Sequence, residues 1–468
     1  MSPGEMDSLP AGTKDTVGLD LESALIRTVI HPLWALRDHP HYRRYRREFE
    51  QSQFLSPSAL AELQRRRLRD ILRHAFEHCR FYRERFENTG LKASDFEDPA
   101  CLSRIPILTK VDIQQHMQEM TADNVPADQR AKNQTGGSTG MPVQFYVDLE
   151  RFDSRMASTA RHDSWAGYRH GDWCAYLWGA RLDLISNARL WDRIRNRLLY
   201  RRIELNTSGI SAQDWEDFIA TVRQKKPRIM LSYAQSAVLF AKHVLQKAIT
   251  DIRFQSIITT SEVLFPEQRQ LLEDTFHAKV FNRYGSREVS VVASECDQHT
   301  GLHVNADALL LEIEPDPSIP APDGKILVTD LLNRSMPLIR YEIGDVGRWS
   351  DKPCPCGRGL PLLQDLQGRL TDFLVMPDGR QISGVALLTW VFADVSELQH
   401  VQLLQDTREE VKMKIVPGKS YAPSVEQRLR DRLQHYLPSE VRISVELCDE
   451  VEISASGKRR FVINRIPD

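Results

Sequence analysis

The spacing of apolar residues predicts helices near the start of the chain. Over residues 57–76 the apolar side chains recur at helical intervals and form one stripe, made of Leu60, Leu63, Leu68, Ile71, Leu72, Ala75 and Phe76. Ser56 is a favourable N-cap and Pro57 suits the first helical position, so we expect the helix to begin there. We expect this helix to serve packing. Residues 21–50 also have helical character, and another helix is expected to run from Lys110 up to the glycine-rich segment near residue 135.

From residue 173 onward, short apolar runs alternate with amphipathic segments. The runs predict strands at 173–178, 228–233, 254–260 and 279–284, separated by helices that begin near 211, 234 and 266. This alternation is typical of an α/β fold, a parallel sheet with helices on both faces. Ligands of such sheets bind beyond the carboxyl ends of the strands. Five residues fall there: Tyr233, Ser261, Glu262, Tyr284 and Gly285.

The pattern changes again in the last third of the chain. From about Gly324 the segments are short and β-rich, with a strand predicted at 338–341 and a turn at 368–372. Beyond them we predict a small α+β unit with strands near 400–405, 410–415 and 441–447 and a helix at 424–436. We therefore divide the chain into a polar tail at 1–20, expected to be disordered, a large domain at 21–371 and a small C-terminal domain at 372–468.

Composition excludes several classes of protein. The chain has 468 residues, of which 41% are hydrophobic and 27% charged, so a sizeable core is available. A net charge of −2 gives no global basic field, and we expect no nucleic-acid partner. Seven cysteines without a signal peptide indicate a reducing compartment and a cytoplasmic protein. No apolar run of eighteen residues occurs, so we expect no membrane span.

Residues 133–142, Asn-Gln-Thr-Gly-Gly-Ser-Thr-Gly-Met-Pro, combine glycines with hydroxyl side chains. Glycines let a backbone approach a ligand closely, and their N–H groups with the hydroxyls can surround phosphate oxygens. The segment is not a Walker A loop, because that motif requires Lys followed by Ser or Thr after its last glycine, whereas Met141 and Pro142 follow Gly140. The alternative interpretation is a surface turn.

Four further segments follow in a fixed order: 283–288 (Arg-Tyr-Gly-Ser-Arg-Glu), 340–345 (Arg-Tyr-Glu-Ile-Gly-Asp), 368–372 (Gly-Arg-Leu-Thr-Asp) and 454–458 (Ser-Ala-Ser-Gly-Lys). Together with the glycine-rich segment, the set resembles the adenylate-forming (acyl-AMP) ligase superfamily. Within it, the glycine-rich segment and Cys354-Pro-Cys356-Gly-Arg resemble the phenylacetate–CoA ligase and capsule-biosynthesis-type branch. The resemblance covers roughly residues 50–468. It implies a large adenylation domain with a β-rich subdomain and a small mobile domain.

The resemblance also implies a reaction. A carboxylate attacks the α-phosphate of ATP, pyrophosphate leaves, and the acyl-AMP passes its acyl group to a second nucleophile, usually the thiol of coenzyme A. Such catalysis consists mainly of positioning and charge neutralisation. The co-substrates implied are ATP with Mg²⁺, a small carboxylic acid and coenzyme A. Members of the family often pair, which makes a homodimer one option.

Roles for individual residues follow from the same resemblance. The phosphate loop would be Thr135, Gly136, Gly137, Ser138, Thr139 and Gly140. The adenine site would be lined by Ser261, Glu262, Arg283 and Tyr284. Asp345 would accept the ribose hydroxyls, Arg369 would lie near ribose and phosphate, and Glu288 would bind Mg²⁺. Lys458 would neutralise charge on the α-phosphate, and Asp372 would be the hinge of the small domain.

Two positions depart from the family pattern. Arg287 stands where a hydroxyl residue is usual, and Met141 stands where the loop usually ends in Lys. Arg287 either contacts phosphate itself or points away and weakens adenylation. The acyl pocket would use Tyr233, Ala234, Gly285 and Ser286, with Trp165 or Tyr168, and its aromatic residues favour a flat aryl or arylacetic acid.

A metal site is predicted from three cysteines and a histidine. Cys296, His303, Cys354 and Cys356 would supply three thiolates and an imidazole, a closed tetrahedral set suited to structural zinc. His299 is a rival to His303, and ordinary buried cysteines are the alternative to a metal site.

The leading functional hypothesis is therefore an ATP-dependent acid–thiol ligase with coenzyme A as acceptor. A second is an amide ligase or carrier-protein loading enzyme of a secondary-metabolite or polysaccharide pathway. A third is a non-catalytic nucleotide-binding scaffold, for which Arg287 and Met141 are the best support. Against that scaffold stands the retention of four residues: Glu288, Asp345, Arg369 and Lys458.

Overall fold

The structure is a computed structural model that describes most of the chain. The described residues are 21–134, 143–178, 190–207, 210–317, 319, 321–369, 373–378, 381–383, 387, 391–392, 395, 397–418, 420–452 and 460–466. The N-terminal tail, the phosphate-loop residues Thr135–Gly140, the hinge residue Asp372 and Lys458 lie outside them. None of the described helices is long and apolar enough to cross a membrane.

Five helices form the start of the described chain: α1 (Leu21–Leu25), α2 (His31–Asp38), α3 (Tyr42–Ser52), α4 (Pro57–His78) and α5 (Arg80–Asn88). A π-helical turn, Ile26–Ile30, joins α1 to α2. The predicted start of α4 is confirmed, because the Ser56 hydroxyl accepts a hydrogen bond from the Ala59 N–H at 3.3 Å. The apolar stripe of α4 lies in the core, where Leu68, Ile71 and Leu72 are buried.

The expected long helix before the glycine-rich segment is wrong. Helix α6 (Lys110–His116) is short, and the chain then forms β1 (Arg130–Gln134). Pro126 stands between them, and proline interrupts a helix. Strand β1 pairs antiparallel with β2 (Gln144–Asp148), and Gln134 lies opposite Gln144. The glycine-rich residues therefore connect two antiparallel strands, and α7 (Leu149–Trp165) follows β2 directly.

An eleven-stranded mixed sheet forms the centre of the described chain before residue 370. Its strands are β3 (Cys174–Trp178), β4 (Arg202–Asn206), β5 (Ile229–Tyr233), β6 (Ser256–Thr260), β7 (Lys279–Ser286), β8 (Ser290–Glu295), β9 (Leu302–Val304), β10 (Leu309–Glu314), β11 (Gly324–Asp330), β12 (Tyr341–Trp349) and β13 (Leu362–Arg369). Its helices are α8 (Leu190–Arg195), α9 (Ala212–Lys225), α10 (Ala234–Gln246) and α11 (Pro266–Phe276). The order is β10-β11-β12-β13-β9-β8-β7-β6-β5-β3-β4.

The predicted parallel sheet is confirmed for β3 to β7, which pair parallel. From β7 to β10 the pairing is antiparallel, so the β-rich segments extend the same sheet. Two of the elements predicted for this region are placed differently in the structure. Residues 338–340 lie outside β12, and Gly368 with Arg369 ends β13 instead of forming a turn. Pairing of Asp345 with Arg369 along β12 and β13 overrides the turn preference of glycine there.

The C-terminal unit has its own sheet and core. Its elements are β14 (Phe373–Val375), β15 (Gln381–Ser383), β16 (Leu398–Thr407), β17 (Glu410–Pro417), α12 (Pro423–Tyr436), β18 (Arg442–Leu447) and β19 (Val462–Asn464). Strands β18, β17, β16 and β19 form one four-stranded sheet, and α12 buries Val425, Leu429 and Leu433. The predicted α+β elements of this unit are confirmed.

Candidate functional site

Two strands of the main sheet meet through a tyrosine and an aspartate. The Tyr284 hydroxyl on β7 donates a hydrogen bond to Asp345 Oδ2 on β12 at 2.6 Å. Strands β8, β9 and β13 lie between β7 and β12 in the sheet. Four steps of about 4.8 Å would separate the two strands by about 19 Å in a flat sheet. The sheet must therefore curl, and the curl brings together two residues predicted to bind the nucleoside.

A second pair of the same kind lies beside the first. Glu288 follows β7 in the turn to β8, is buried, and its Oε1 accepts a hydrogen bond from the Tyr341 hydroxyl at 2.9 Å. Tyr341 opens β12, the strand that also contains Asp345. Two tyrosine–carboxylate hydrogen bonds thus join the end of β7 to β12. A buried carboxylate of this kind is a suitable ligand for a hard cation such as Mg²⁺.

Two buried arginines of α7 hold the turn that contains Glu288. The guanidinium of Arg155 donates to the carbonyl oxygens of Arg287, at 3.3 Å, and of Glu288. Arg151 Nη2 donates to the Val289 carbonyl at 3.2 Å, and its Nε donates to Asp330 Oδ2 at 2.9 Å. Burial and the nearby Arg151 lower the pKa of Arg155 to about 10. Three successive carbonyls of the turn are therefore fixed from one helix.

Sequence reasoning missed these arginines. Helix α7 exposes Leu149 and Phe152 and buries Arg151 and Arg155, which reverses the usual arrangement. The sequence contains no sign that these arginines face inward, because charged residues normally lie on the exposed face of a helix. Lys110 was also missed. A Cβ placed on Gly344, next to Asp345, would lie 3.7 Å from Lys110 Nζ, so the ammonium group lies near the backbone beside Asp345.

The predicted acyl-pocket residues lie at adjacent strand ends. Tyr233 ends β5, is buried, and its ring centroid lies 4.4 Å from that of Trp178. Glu262 follows β6, and its Oε2 accepts the Gln235 N–H at 2.8 Å, near the start of α10. Gly285 cannot be replaced without a shift, because a Cβ there would lie 2.8 Å from the Ser290 carbonyl oxygen. These ends lie next to Tyr284, since β5, β6 and β7 are neighbours in the sheet.

Two predicted site residues have structural partners elsewhere. Arg283 Nη2 donates to Asp163 Oδ1 at 2.7 Å in a buried ion pair. The Trp165 indole donates to Gln53 Oε1 at 3.0 Å, and its ring lies 5.6 Å from that of His303. Trp165 thus lies against the cysteine–histidine group, whereas Tyr168 packs with Cys174 and Phe281. The predicted contacts of Arg283 with nucleotide and of Trp165 with the acyl group stay predictions.

The structure describes only some of the remaining predicted site residues. Ser261 has φ +70°, Ala234 and Ser286 lie at the same strand ends as Tyr233 and Gly285, and Arg287 is half-buried. Arg369 lies opposite Asp345 in the backbone pairing of β13 and β12. The phosphate loop, Asp372 and Lys458 lie outside the described residues, so their roles stay predictions.

The four predicted metal ligands meet at one point. The ligand atoms of Cys296, His303, Cys354 and Cys356 all lie within 4.8 Å of one another. The Sγ atoms of Cys296 and Cys354 are 3.6 Å apart, and Cys356 Sγ is 3.3 Å from His303 Nε2. Ligands of a tetrahedral zinc ion, with bonds of about 2.0 to 2.3 Å, lie roughly 3.3 to 3.8 Å from each other. The donor set and its spacing therefore fit zinc.

Neighbouring groups orient these ligands. His303 Nδ1 lies 3.2 Å from the Leu360 carbonyl, an arrangement that leaves Nε2 facing the cysteines. The backbone N–H groups of Gln298 and Arg358 point at the sulfurs of Cys296 and Cys356, each at 3.5 Å. Burial raises the pKa of Cys296 to about 12 and lowers the pKa of His303 to about 4. The rival His299 lies instead 3.3 Å from Glu295 Oε2.

Comparisons with known proteins support the resemblance read from the motifs. A family model described as the CapK C-terminal domain matches residues 374–465. The phenylacetate–coenzyme A ligase of Thermus thermophilus is 24% identical over 86% of this chain and 96% of its own length. Protein CapK of Staphylococcus aureus is 22% identical over 87% of this chain and 90% of its own.

The fold has solved counterparts. A 2-hydroxyisobutyryl-CoA ligase in the postadenylation state, in complex with an acyl-AMP, superposes with a TM-score of 0.72 at 20% identity, covering 89% of this chain and 91% of that one. The same ligase in complex with 2-HIB-AMP and CoA, in the thioesterification state, superposes with a TM-score of 0.60 at 20% identity. This superposition covers 89% of this chain and 92% of that one. The predicted resemblance to the phenylacetate–CoA ligase and capsule-biosynthesis-type branch is confirmed, and so is the α/β fold class.

Proposed function

We propose that this chain, which is similar over most of its length to phenylacetate–CoA ligases and to CapK, activates a carboxylic acid with ATP and transfers the acyl group to coenzyme A. The predicted enzyme class, an acyl-adenylate-forming ligase, is confirmed at the level of these similarities. The observation that best supports the proposal is the pair of hydrogen bonds, Tyr284–Asp345 and Tyr341–Glu288, that join the end of β7 to β12. Strands β5 and β6, whose ends carry Tyr233 and Glu262, are the next strands in the sheet.

Each residue has a chemical task in this reaction. Asp345, oriented by the Tyr284 hydroxyl, accepts hydrogen bonds from the ribose hydroxyls of ATP. Glu288 would hold the Mg²⁺ that accompanies the phosphates, because a hard cation prefers carboxylate oxygen. A carboxylate oxygen of the acid attacks the α-phosphorus, and the bond to pyrophosphate breaks. Lys458 and the residues 135–140 neutralise the charge that develops on the phosphates.

The second half-reaction consumes the acyl-AMP. The thiolate of coenzyme A attacks the acyl carbonyl, AMP leaves, and a thioester results. Aromatic side chains at the strand ends, Tyr233 with Trp178 behind it, favour a flat acid of the aryl or arylacetic type. Zinc at the four-ligand cluster would have a structural role, because no position is left for substrate. It would pin the chain after β8 to the segment before β13.

Product analysis with a panel of acids tests this proposal. We would incubate the protein with Mg-ATP and aryl, arylacetic, fatty and amino acids, with and without coenzyme A, and measure pyrophosphate, AMP and thioester. We expect pyrophosphate to be released with one acid. Coenzyme A should accelerate this release, and an equal amount of thioester should form. Release that coenzyme A does not accelerate would indicate an amine or carrier-protein acceptor. No release with any acid despite ATP binding would contradict the proposal and favour the scaffold hypothesis.

A further inference from the structure

The first helical segment exposes large apolar side chains, although Ser23 and His31 are buried together with Ile26 and Ala35. Five of the eight exposed side chains over residues 21–38 are large and apolar: Leu21, Leu25, Val29, Leu33 and Leu36, here called the N-terminal apolar face. Leu33 is 62% exposed. A helix that packs on a globular core normally shows the opposite arrangement. This face therefore resembles a surface that contacts something outside the described chain.

The five residues share one face because of the π-helical turn. Their spacing of mostly four residues drifts by about 40° per step on a regular α-helix. The turn at Ile26–Ile30 takes up an extra residue, with the His31 N–H bonded to the Ile26 carbonyl, and compensates much of this drift. The local backbone thus aligns the leucines and valine along one line.

Polar contacts hold the opposite side of the same segment. Arg27 donates to Asp172 Oδ1 at 2.9 Å and to the His170 carbonyl at 3.0 Å. The His31 ring stacks on that of His170 with centroids 3.9 Å apart. Glu22 forms ion pairs with Arg197 at 3.1 Å and Arg201 at 3.5 Å. These contacts fix the segment with its apolar side chains outward.

A neighbouring segment adds exposed apolar side chains. Residues 196–200 pack against the π-helical turn, and α8, which precedes them, exposes Leu190 and Trp191, the latter by 78%. The exposed charges nearby are mostly basic: within residues 21–50 and 190–202, seven arginines and two acidic residues are exposed, in a chain with a net charge of −2. Leucine and tryptophan side chains with arginines around them are typical of helices that bind the surface of an anionic membrane.

We propose that the N-terminal apolar face, together with Leu190 and Trp191, docks the protein on an anionic lipid surface. The leucines enter the boundary between head groups and acyl chains, and the surrounding arginines contact the lipid phosphates. A second copy of the chain is a poorer occupant, because two such faces would bring the same arginine-rich surfaces together.

Vesicle flotation of the full chain tests the proposal. The probe is phosphatidylcholine vesicles with or without phosphatidylglycerol, at low and high salt. We expect the protein to float with the anionic vesicles, and less so at high salt. Leu25→Glu with Leu33→Glu should reduce binding about tenfold or more, because both leucines lose their place among the acyl chains. The matched control, Leu245→Glu with Leu447→Glu, changes leucines of similar exposure elsewhere and should float like the wild type.

Two further readouts separate the outcomes. Brominated lipids should quench tryptophan fluorescence, and Trp191→Phe should remove most of that quenching. The proposal is overturned if the wild type does not float with anionic vesicles, or if the Leu25–Leu33 variant floats as well as the wild type. It is also overturned if light scattering shows a dimer that only this variant breaks, which would identify a second copy as the occupant.

Discussion

Tyr284 and Asp345, sixty-one residues apart, are joined by a 2.6 Å hydrogen bond between the phenol and the carboxylate. The bond links two strands that are not neighbours in the sheet. It fixes the orientation of the aspartate that we assign to the ribose. Orientation of a hydrogen-bonding group before the ligand arrives reduces the cost of binding.

Removal of the Tyr284 hydroxyl should weaken ATP binding. In Tyr284→Phe, Asp345 loses the hydrogen bond from the phenol and is oriented less firmly, so we expect the KM for ATP to rise severalfold with a smaller change in kcat. The loss of one hydrogen bond should also cost about 1 kcal/mol of stability. The matched control is Tyr82→Phe, which removes a buried phenol that donates to the Pro337 carbonyl at 2.7 Å. An equal KM in both variants would show that the Tyr284 bond is only structural.

The α7 arginines should matter for rate as well as for stability. Arg155→Lys retains a positive charge near Asp330 but cannot donate to two carbonyls at once. We expect kcat for adenylation to fall about tenfold, because the turn with Glu288 loosens. Arg161→Lys is the control, since Arg161 lies on the same helix and pairs with Asp307 instead. Both should lose roughly 1 to 3 kcal/mol of stability. A normal rate in Arg155→Lys would contradict the positioning role.

The cysteine–histidine cluster should bind one zinc per chain. Elemental analysis of the purified protein should show about one equivalent of zinc, and Cys354→Ser should lose it, with a melting temperature several degrees lower. Cys101→Ser, a buried cysteine outside the cluster, should retain the metal. The KM for ATP should be nearly unchanged in the folded fraction, because the role is structural. Wild-type protein that remains metal-free after growth and purification with zinc would contradict the assignment.

Acid should loosen the first helical segment. Burial, with Arg46 and His39 nearby, lowers the pKa of His31 to about 4, and burial with His31 and Arg46 lowers that of His170 to about 3. Because the unfolded chain binds protons below pH 6.5 and the folded one does not, stability falls as the pH drops from about 6.5 to 4. His31→Phe keeps a ring in the stack but has no group to protonate. The loss of stability between pH 6.5 and 4 should therefore be smaller by up to about 2 kcal/mol in this variant.

Urea unfolding at several pH values measures this effect. The control is His435→Phe on α12, because His435 is exposed. The difference in unfolding free energy between wild type and His31→Phe should shrink toward pH 4, while His435→Phe should follow the wild type. A constant difference across the range would show that protonation of His31 is not coupled to folding.

Local sequence patterns predicted most helices and strands, whereas features that depend on long-range contacts were not predicted. Strands such as 174–178 and 229–233 were readable because they are short apolar runs between amphipathic helices. The end of β13 was misread as a turn, since its pairing with β12 depends on residues far away in the sequence. The four candidate metal ligands were predicted correctly to lie together, because cysteine and histidine are chemically specific. The buried arginines of α7 were missed because charged residues normally predict an exposed face.

The most direct test of the account is acid-dependent exchange of labelled pyrophosphate into ATP. This exchange reports the adenylation half-reaction alone and does not depend on the acceptor. The account predicts exchange with at least one aryl or arylacetic acid, and at least about a hundredfold less in Lys458→Ala and in Asp345→Ala. Lys458→Ala should still bind ATP. Exchange at the wild-type rate in both variants, or no exchange with any acid while ATP binds, would contradict it.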